Sequence, residues 1–120
     1  MARHEKFSFK SGEELRNKAD SLHLDLPWSD HIELLSEPIK IRGTNIPNRM
    51  VVQPMEGFDS ERDGSPGPLT QRRYLRYANG GSGMIWFEAT SVVLEGRSNP
   101  GQLLLNANTL PSFAQLVDQI

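Results

Sequence analysis

Apolar residues are sparse in the first third of the chain and gather after Ile39. In the early part, Leu15, Ala19 and Leu22 recur at helical spacing behind Ser11-Gly12-Glu13-Glu14, a Ser-x-x-Glu capping box. The pattern predicts a short helix over about residues 12–20. Leu26-Pro27-Trp28-Ser29-Asp30 interrupts it, and His31 to Leu35 adds a turn or two before Pro38 stops any helix. Residues 1–38 thus read as a peripheral helical arm that packs on something else.

Beyond it the pattern changes to β-type. Ile39-Lys40-Ile41 alternates, Gly43-Thr44-Asn45 offers turn chemistry and Ile46-Pro47-Asn48-Arg49 returns, which predicts a hairpin. Met50 to Gln53 is a β-favouring run ended by Pro54, the pattern of a strand buried on both faces. Glu56 to Pro68 is rich in Gly, Pro, Asp and Ser, so a long loop follows. Thr70 is placed to cap a helix over about residues 70–79, with Tyr74, Leu75, Tyr77 and Ala78 as its apolar stripe and Gly80-Gly81 as its stop. Met84 to Phe87 is a second buried-strand run, in which Trp86 and Phe87 are expected to pack in the core. Val92-Val93-Leu94 continues as extended chain, and a loop runs from Glu95 to Asn108. Thr109 then caps a helix whose Phe113, Leu116, Val117 and Ile120 fall on one face.

The order strand, loop, helix, strand, loop, helix is a βα unit occurring twice, and right-handed βαβ connection makes the two strands adjacent and parallel. A (β/α)₈ barrel needs about 250 residues. Residues 39–120 are therefore expected to be a hairpin and the first two βα units of an incomplete barrel: an α/β chain, a partial (β/α)₈ TIM barrel preceded by a helical arm. Ligands in such folds sit at the carboxyl ends of the strands, here Gln53-Pro54-Met55-Glu56 and Glu88-Ala89-Thr90, from which the long loops also emerge.

Composition narrows the chemistry. The 13 basic and 15 acidic residues give a net charge of −2, with no basic cluster of the kind a nucleic-acid surface needs. The chain has no cysteine, which excludes disulfides, thiolate metal ligands, iron–sulfur ligation and a thiol nucleophile within these residues. His4, His23 and His31 match no zinc spacing and read as exposed histidines. No catalytic group and no metal ligand is nominated. The start lacks a signal-peptide apolar run, and no stretch approaches the roughly 20 residues of a membrane span, so a cytoplasmic protein is expected. Gly80-Gly81-Ser82-Gly83 follows a helix, the reverse of the nucleotide-binding order, and is read as a helix stop. Asp59, Glu61, Arg62 and Asp63 read as a solvated loop, and Glu88 as a structural carboxylate with Arg97 as its candidate partner.

At the strand ends a family resemblance becomes specific. Asn48-Arg49-Met50-Val51-Val52-Gln53-Pro54-Met55 is similar to the first barrel strand of the old yellow enzyme and NADH:flavin oxidoreductase family. Asp63-Gly64, Tyr74, Ala78-Asn79-Gly80-Gly81-Ser82-Gly83, Glu88-Ala89 and Glu95-Gly96-Arg97 follow at the family's spacing, over about residues 35–120. The resemblance implies FMN held at a barrel mouth, reduced by NADH or NADPH and reoxidised by an activated alkene or related small-molecule acceptor. Carried over by position, Gln53, Pro54, Met55 and Glu56 would line the flavin ring from the first strand and Ala89 from the second. Glu56 departs from the Thr or Cys that many members place there, and Phe58 stands where several have Tyr. The substrate-binding pair, the proton donor and the main phosphate site would lie beyond Ile120 in the family order. The remainder of the barrel, on the same or a separate chain, is then the implied partner, with oligomers also admitted. Two other readings stay open: a short non-catalytic subunit docking with a separately encoded barrel portion, and a non-flavin barrel fragment or inactive remnant.

Overall fold

In a computed structural model, which describes residues 6–120, the chain divides into two units, Met1–Ile32 and Glu33–Ile120. His4 lies outside the described residues, and His23 and His31 are exposed.

In the first unit, helix α1 (Gly12–Ser21) starts at Ser11, whose hydroxyl accepts from the Glu14 amide at 3.2 Å. The Glu14 carboxylate reaches back one residue further than a capping box requires, to the Lys10 amide at 2.9 Å. At the other end His23 adopts φ +54°, and the His23 and Leu24 amides donate to the Asp20 and Ala19 carbonyls, each at 3.0 Å. This is a Schellman stop with histidine where glycine is usual. Trp28 folds back so closely on Gly12 that a side chain there would meet its ring, while Arg16 lies over that ring, 5.3 Å from its centre.

In the second unit a 3₁₀ turn, Glu33–Ser36, leads to β1 (Ile39–Ile41) and β2 (Thr44–Ile46), an antiparallel hairpin pairing Ile39 with Ile46 and Ile41 with Thr44. The turn is Arg42-Gly43, with φ +47° and +92°, and Thr44 and Asn45 belong to the returning strand instead of the turn. Positive φ at both central residues matches the twist of the paired strands, which is what fixes this register.

Strands β3 (Val51–Val52) and β4 (Met84–Ile85) are parallel neighbours joined through helix α2 (Pro68–Asn79), as the βαβ reading requires. They are shorter than their apolar runs and are not buried on both faces: Val51 is exposed, and Trp86, expected in the core, is 61% exposed. Each strand pairs only with the other among the described residues, so one edge and part of each face have no cover. No closed barrel is formed by these residues. Asn48 joins the two strands. Its side-chain oxygen accepts from the Met50 and Gly83 amides at 3.0 and 2.8 Å, and its amide donates to the Gly81 carbonyl at 2.7 Å.

Helix α2 begins at Gly67 with Pro68 in its first turn, and Thr70 is not its cap but a fully buried residue inside it. Gly81, at φ +81°, ends it as the sequence suggests. Helix α3 (Leu110–Val117) begins at Thr109, whose hydroxyl donates to the Leu104 carbonyl at 2.6 Å instead of capping the helix. The core is an aromatic column between two helices and the segment after β4: Phe87 stacks on Tyr74 of α2 at 4.2 Å and meets Phe113 of α3 at 5.9 Å. Leu103, Leu104 and Leu116 complete it, whereas Val117 and Ile120 are exposed. Leu103 and Leu104 lie in the stretch read as an open loop. The segment is drawn in because Ser91 bridges to Leu104 in parallel, its amide donating to the Leu103 carbonyl at 2.9 Å. Val92, Val93 and Leu94 are exposed, and Leu94–Gly96 is a 3₁₀ turn.

Candidate functional site

The parallel register, Val51 with Met84 and Val52 with Ile85, delivers both outgoing segments to one end of the strand pair. Gln53, Pro54 and Met55 leave β3 there and are exposed, Met55 at 72%. Ala89, leaving β4, is exposed too, and its carbonyl accepts from the Gln102 side-chain amide at 3.3 Å. Glu56 is half-buried, and its Oε2 is fully buried with no hydrogen-bond partner among the described residues. A buried carboxylate oxygen without a donor is costly and calls for a partner, an ordered water or ion among the options.

Next to this exposed rim is a partly buried charge network. Glu88, 4% exposed, accepts from Arg73 Nη1 at 2.8 Å and from the Tyr74 hydroxyl at 3.2 Å through Oε1. Its Oε2 accepts from the Gly57 amide at 3.0 Å, and its own amide donates to the Tyr74 hydroxyl at 2.8 Å. Arg73 also donates to the Met55 carbonyl at 3.1 Å and to Asp59 Oδ1 at 2.8 Å, where the Thr70 hydroxyl donates as well at 2.7 Å. Glu88 is therefore structural, but its partner is Arg73 and not Arg97. Asp59 is an ion-pair residue, not a solvated one. Burial pulls the Arg73 guanidinium down, and hydrogen bonds and charge from Glu88 and Asp59 more than offset it, so the net shift is upward. Burial likewise pushes the Tyr74 hydroxyl well above the usual phenol range, with the Glu88 charge adding to it. Composition and spacing missed Arg73. The available signal was an arginine on the helix between the strands, beside Tyr74 and between two carboxylate-bearing strand exits.

The loops above are joined by Arg97, which donates to the Gln102 carbonyl at 2.9 Å, to Ser60 Oγ at 3.2 Å and to the Pro100 carbonyl. Phe58 is 53% exposed and holds φ +50°, a left-handed conformation that costs a bulky residue about 1–3 kcal/mol. In the outer part of that loop the Ser65 hydroxyl and amide hold the Asp63 carboxyl below its usual range.

With this arrangement in view, known proteins place the chain. The family model described as the NADH:flavin oxidoreductase / NADH oxidase family matches residues 34–120. The NADPH dehydrogenase of Bacillus pumilus is 34% identical over 88 residues, covering 72% of this chain and 26% of that protein. The NADPH dehydrogenase of Bacillus licheniformis is 38% identical over the same coverage. Among solved structures, a 2-naphthoyl-CoA reductase in complex with 2-naphthoyl-CoA superposes with a TM-score of 0.67 at 26% identity, over 73% of this chain and 14% of that one. The old yellow enzyme homologue from Zymomonas mobilis gives a TM-score of 0.58 at 24% identity, over 71% of this chain and 25% of that one. The chain belongs to the NADH:flavin oxidoreductase / NADH oxidase family. It spans about a quarter of the length of the curated relatives it matches.

Proposed function

We propose that residues 39–120 supply the leading hairpin and first two βα units of an FMN-binding (β/α)₈ barrel, part of an oxidoreductase that carries hydride from NADPH or NADH to an activated alkene or related acceptor. The observation that carries the reading is the strand-exit rim. Gln53, Pro54, Met55 and Ala89 stand exposed at the carboxyl ends of two parallel strands, with the unpartnered Glu56 oxygen beside them. Family membership supports the flavin, and the relatives named NADPH dehydrogenase support the reductant.

These residues fit the ring of FMN. An isoalloxazine offers an imide N–H to an acceptor and carbonyl oxygens to a donor, and the polar groups exposed at the strand ends can serve both. Pro54, Met55 and Ala89 provide apolar walls, and Gln53 an amide that can both donate and accept. When bound, FMN supplies the hydride chemistry itself, and the protein's part is to hold and orient it. Glu56 would set the charge at the ring edge.

The test is coexpression of the chain with a polypeptide carrying the further βα units, followed by a visible absorption spectrum. A yellow complex supports the reading. A colourless complex favours a non-catalytic docking subunit, and no complex favours an unrelated use of the fold.

A further inference from the structure

We propose that Arg73 and Glu88 form a positioning clamp that fixes the Met55–Asp59 segment, and with it the direction in which Glu56 faces the flavin ring. The inference rests on the flavin reading above. Neither residue is itself part of the exposed rim, but the side chains of both reach the segment that carries it. Both act on the backbone that carries it.

The clamp grips the segment on both sides of Glu56. Arg73 Nη1 holds the Met55 carbonyl at 3.1 Å before it, and Glu88 Oε2 holds the Gly57 amide at 3.0 Å after it. Arg73 Nη2 takes Asp59 Oδ1 at 2.8 Å two residues further on. Gly57 lies so close to the guanidinium that a Cβ there would collide with it, so the segment is seated directly on Arg73. Phe58, between two of the gripped residues, keeps a left-handed φ of +50°. A strained residue persists only where its surroundings over-determine it, and here the grips at Gly57 and Asp59 do so. One planar guanidinium serves a carbonyl and two carboxylates at fixed angles, a task that a lysine ammonium cannot reproduce.

The experiment compares the FMN-loaded complex of the parent chain with the further βα units against the same complex carrying Glu88→Gln, Arg73→Lys or the milder Asp59→Asn. Leu116→Ala, in the core and away from the segment, serves as a destabilised control. The readouts are hydrogen exchange at the Gly57 amide, the FMN dissociation constant and the flavin reduction potential. The clamp predicts faster Gly57 exchange in Glu88→Gln and Arg73→Lys and FMN binding weakened about tenfold, the loss that accompanies one charge-assisted hydrogen bond. It also predicts a shifted potential, with a smaller shift in Asp59→Asn and none in Leu116→Ala. Parent-like Gly57 exchange and potential in both Glu88→Gln and Arg73→Lys overturn the clamp, as does a Leu116→Ala shift of equal size, which marks a general effect of stability. If the parent chain, assembled with the further βα units, takes up no FMN, the flavin reading fails. Gly57 exchange then judges the clamp by itself, with faster exchange in the variants supporting it and unchanged exchange overturning it.

Discussion

Replacing Tyr74 with Phe removes one oxygen from the most enclosed part of the second unit. The ring is 1% exposed and its stacking on Phe87 survives the change, so little packing is lost. What is lost is an acceptor for the Glu88 amide at 2.8 Å and a donor to Glu88 Oε1 at 3.2 Å. The carboxylate keeps Arg73 and the Gly57 amide, so the second loss is worth about 0.5–1.5 kcal/mol. The buried amide keeps nothing, and an unsatisfied donor costs about 1–3 kcal/mol. The sum predicts that Tyr74→Phe destabilises the chain by about 1.5–4.5 kcal/mol. Urea unfolding at neutral pH measures it as a lower midpoint at unchanged slope, with Tyr77→Phe within about 0.5 kcal/mol as the comparison. The pH dependence has a definite sign. The folded state holds the Tyr74 proton more tightly than the unfolded chain, whose phenol titrates near 10.0, so its contribution is complete below that pH and declines as pH rises above it. The decline should be shallower in Tyr74→Phe. A Tyr74→Phe protein within about 0.5 kcal/mol of the parent would refute the network as a source of stability.

Two further outcomes follow from the loops. Gly64 holds φ +90° with the Leu104 backbone nitrogen only 2.9 Å from where a Cβ would stand, so Gly64→Ala should lose about 1–3 kcal/mol in the same unfolding assay. Arg97→Met should keep the aromatic column and lose the contacts to Ser60, Pro100 and Gln102, so limited proteolysis should cut within residues 58–64 or 96–102 faster than in the parent, while global stability falls less than in Tyr74→Phe.

The order of elements was legible because it rests on local signals. The alternation of Ile39-Lys40-Ile41, the Ser11 cap, the Gly80-Gly81 stop and the two apolar runs each act within a few residues, and they yield the helix, hairpin and parallel strands that the chain adopts. Where the outcome depended on long-range partners the pattern misled. Thr70 has the chemistry of a cap, yet Asp59 claims its hydroxyl and Pro68 moves the helix start upstream. Trp86 has the composition of a core residue, but its burial depends on neighbours that β3 and β4 do not have among the described residues. Leu103 and Leu104 sit among Gly, Pro and Asn, and only their pairing with Ser91 makes them core. At the candidate site the strand-end rim was readable from topology. The Arg73–Glu88–Asp59 network next to it was not, because three charged residues far apart in sequence have no mutual spacing rule until the fold brings them together.

The central claim is that Glu56 and its neighbours face a flavin ring, and the reduction potential of bound FMN tests it most directly. Potentiometric titration of the FMN-loaded protein and of Glu56→Gln should be carried out across pH. Removing a negative charge beside the ring and supplying an amide donor should raise the potential of the variant. Identical potentials at every pH would contradict the account, because they would mean that Glu56 faces away from the ring.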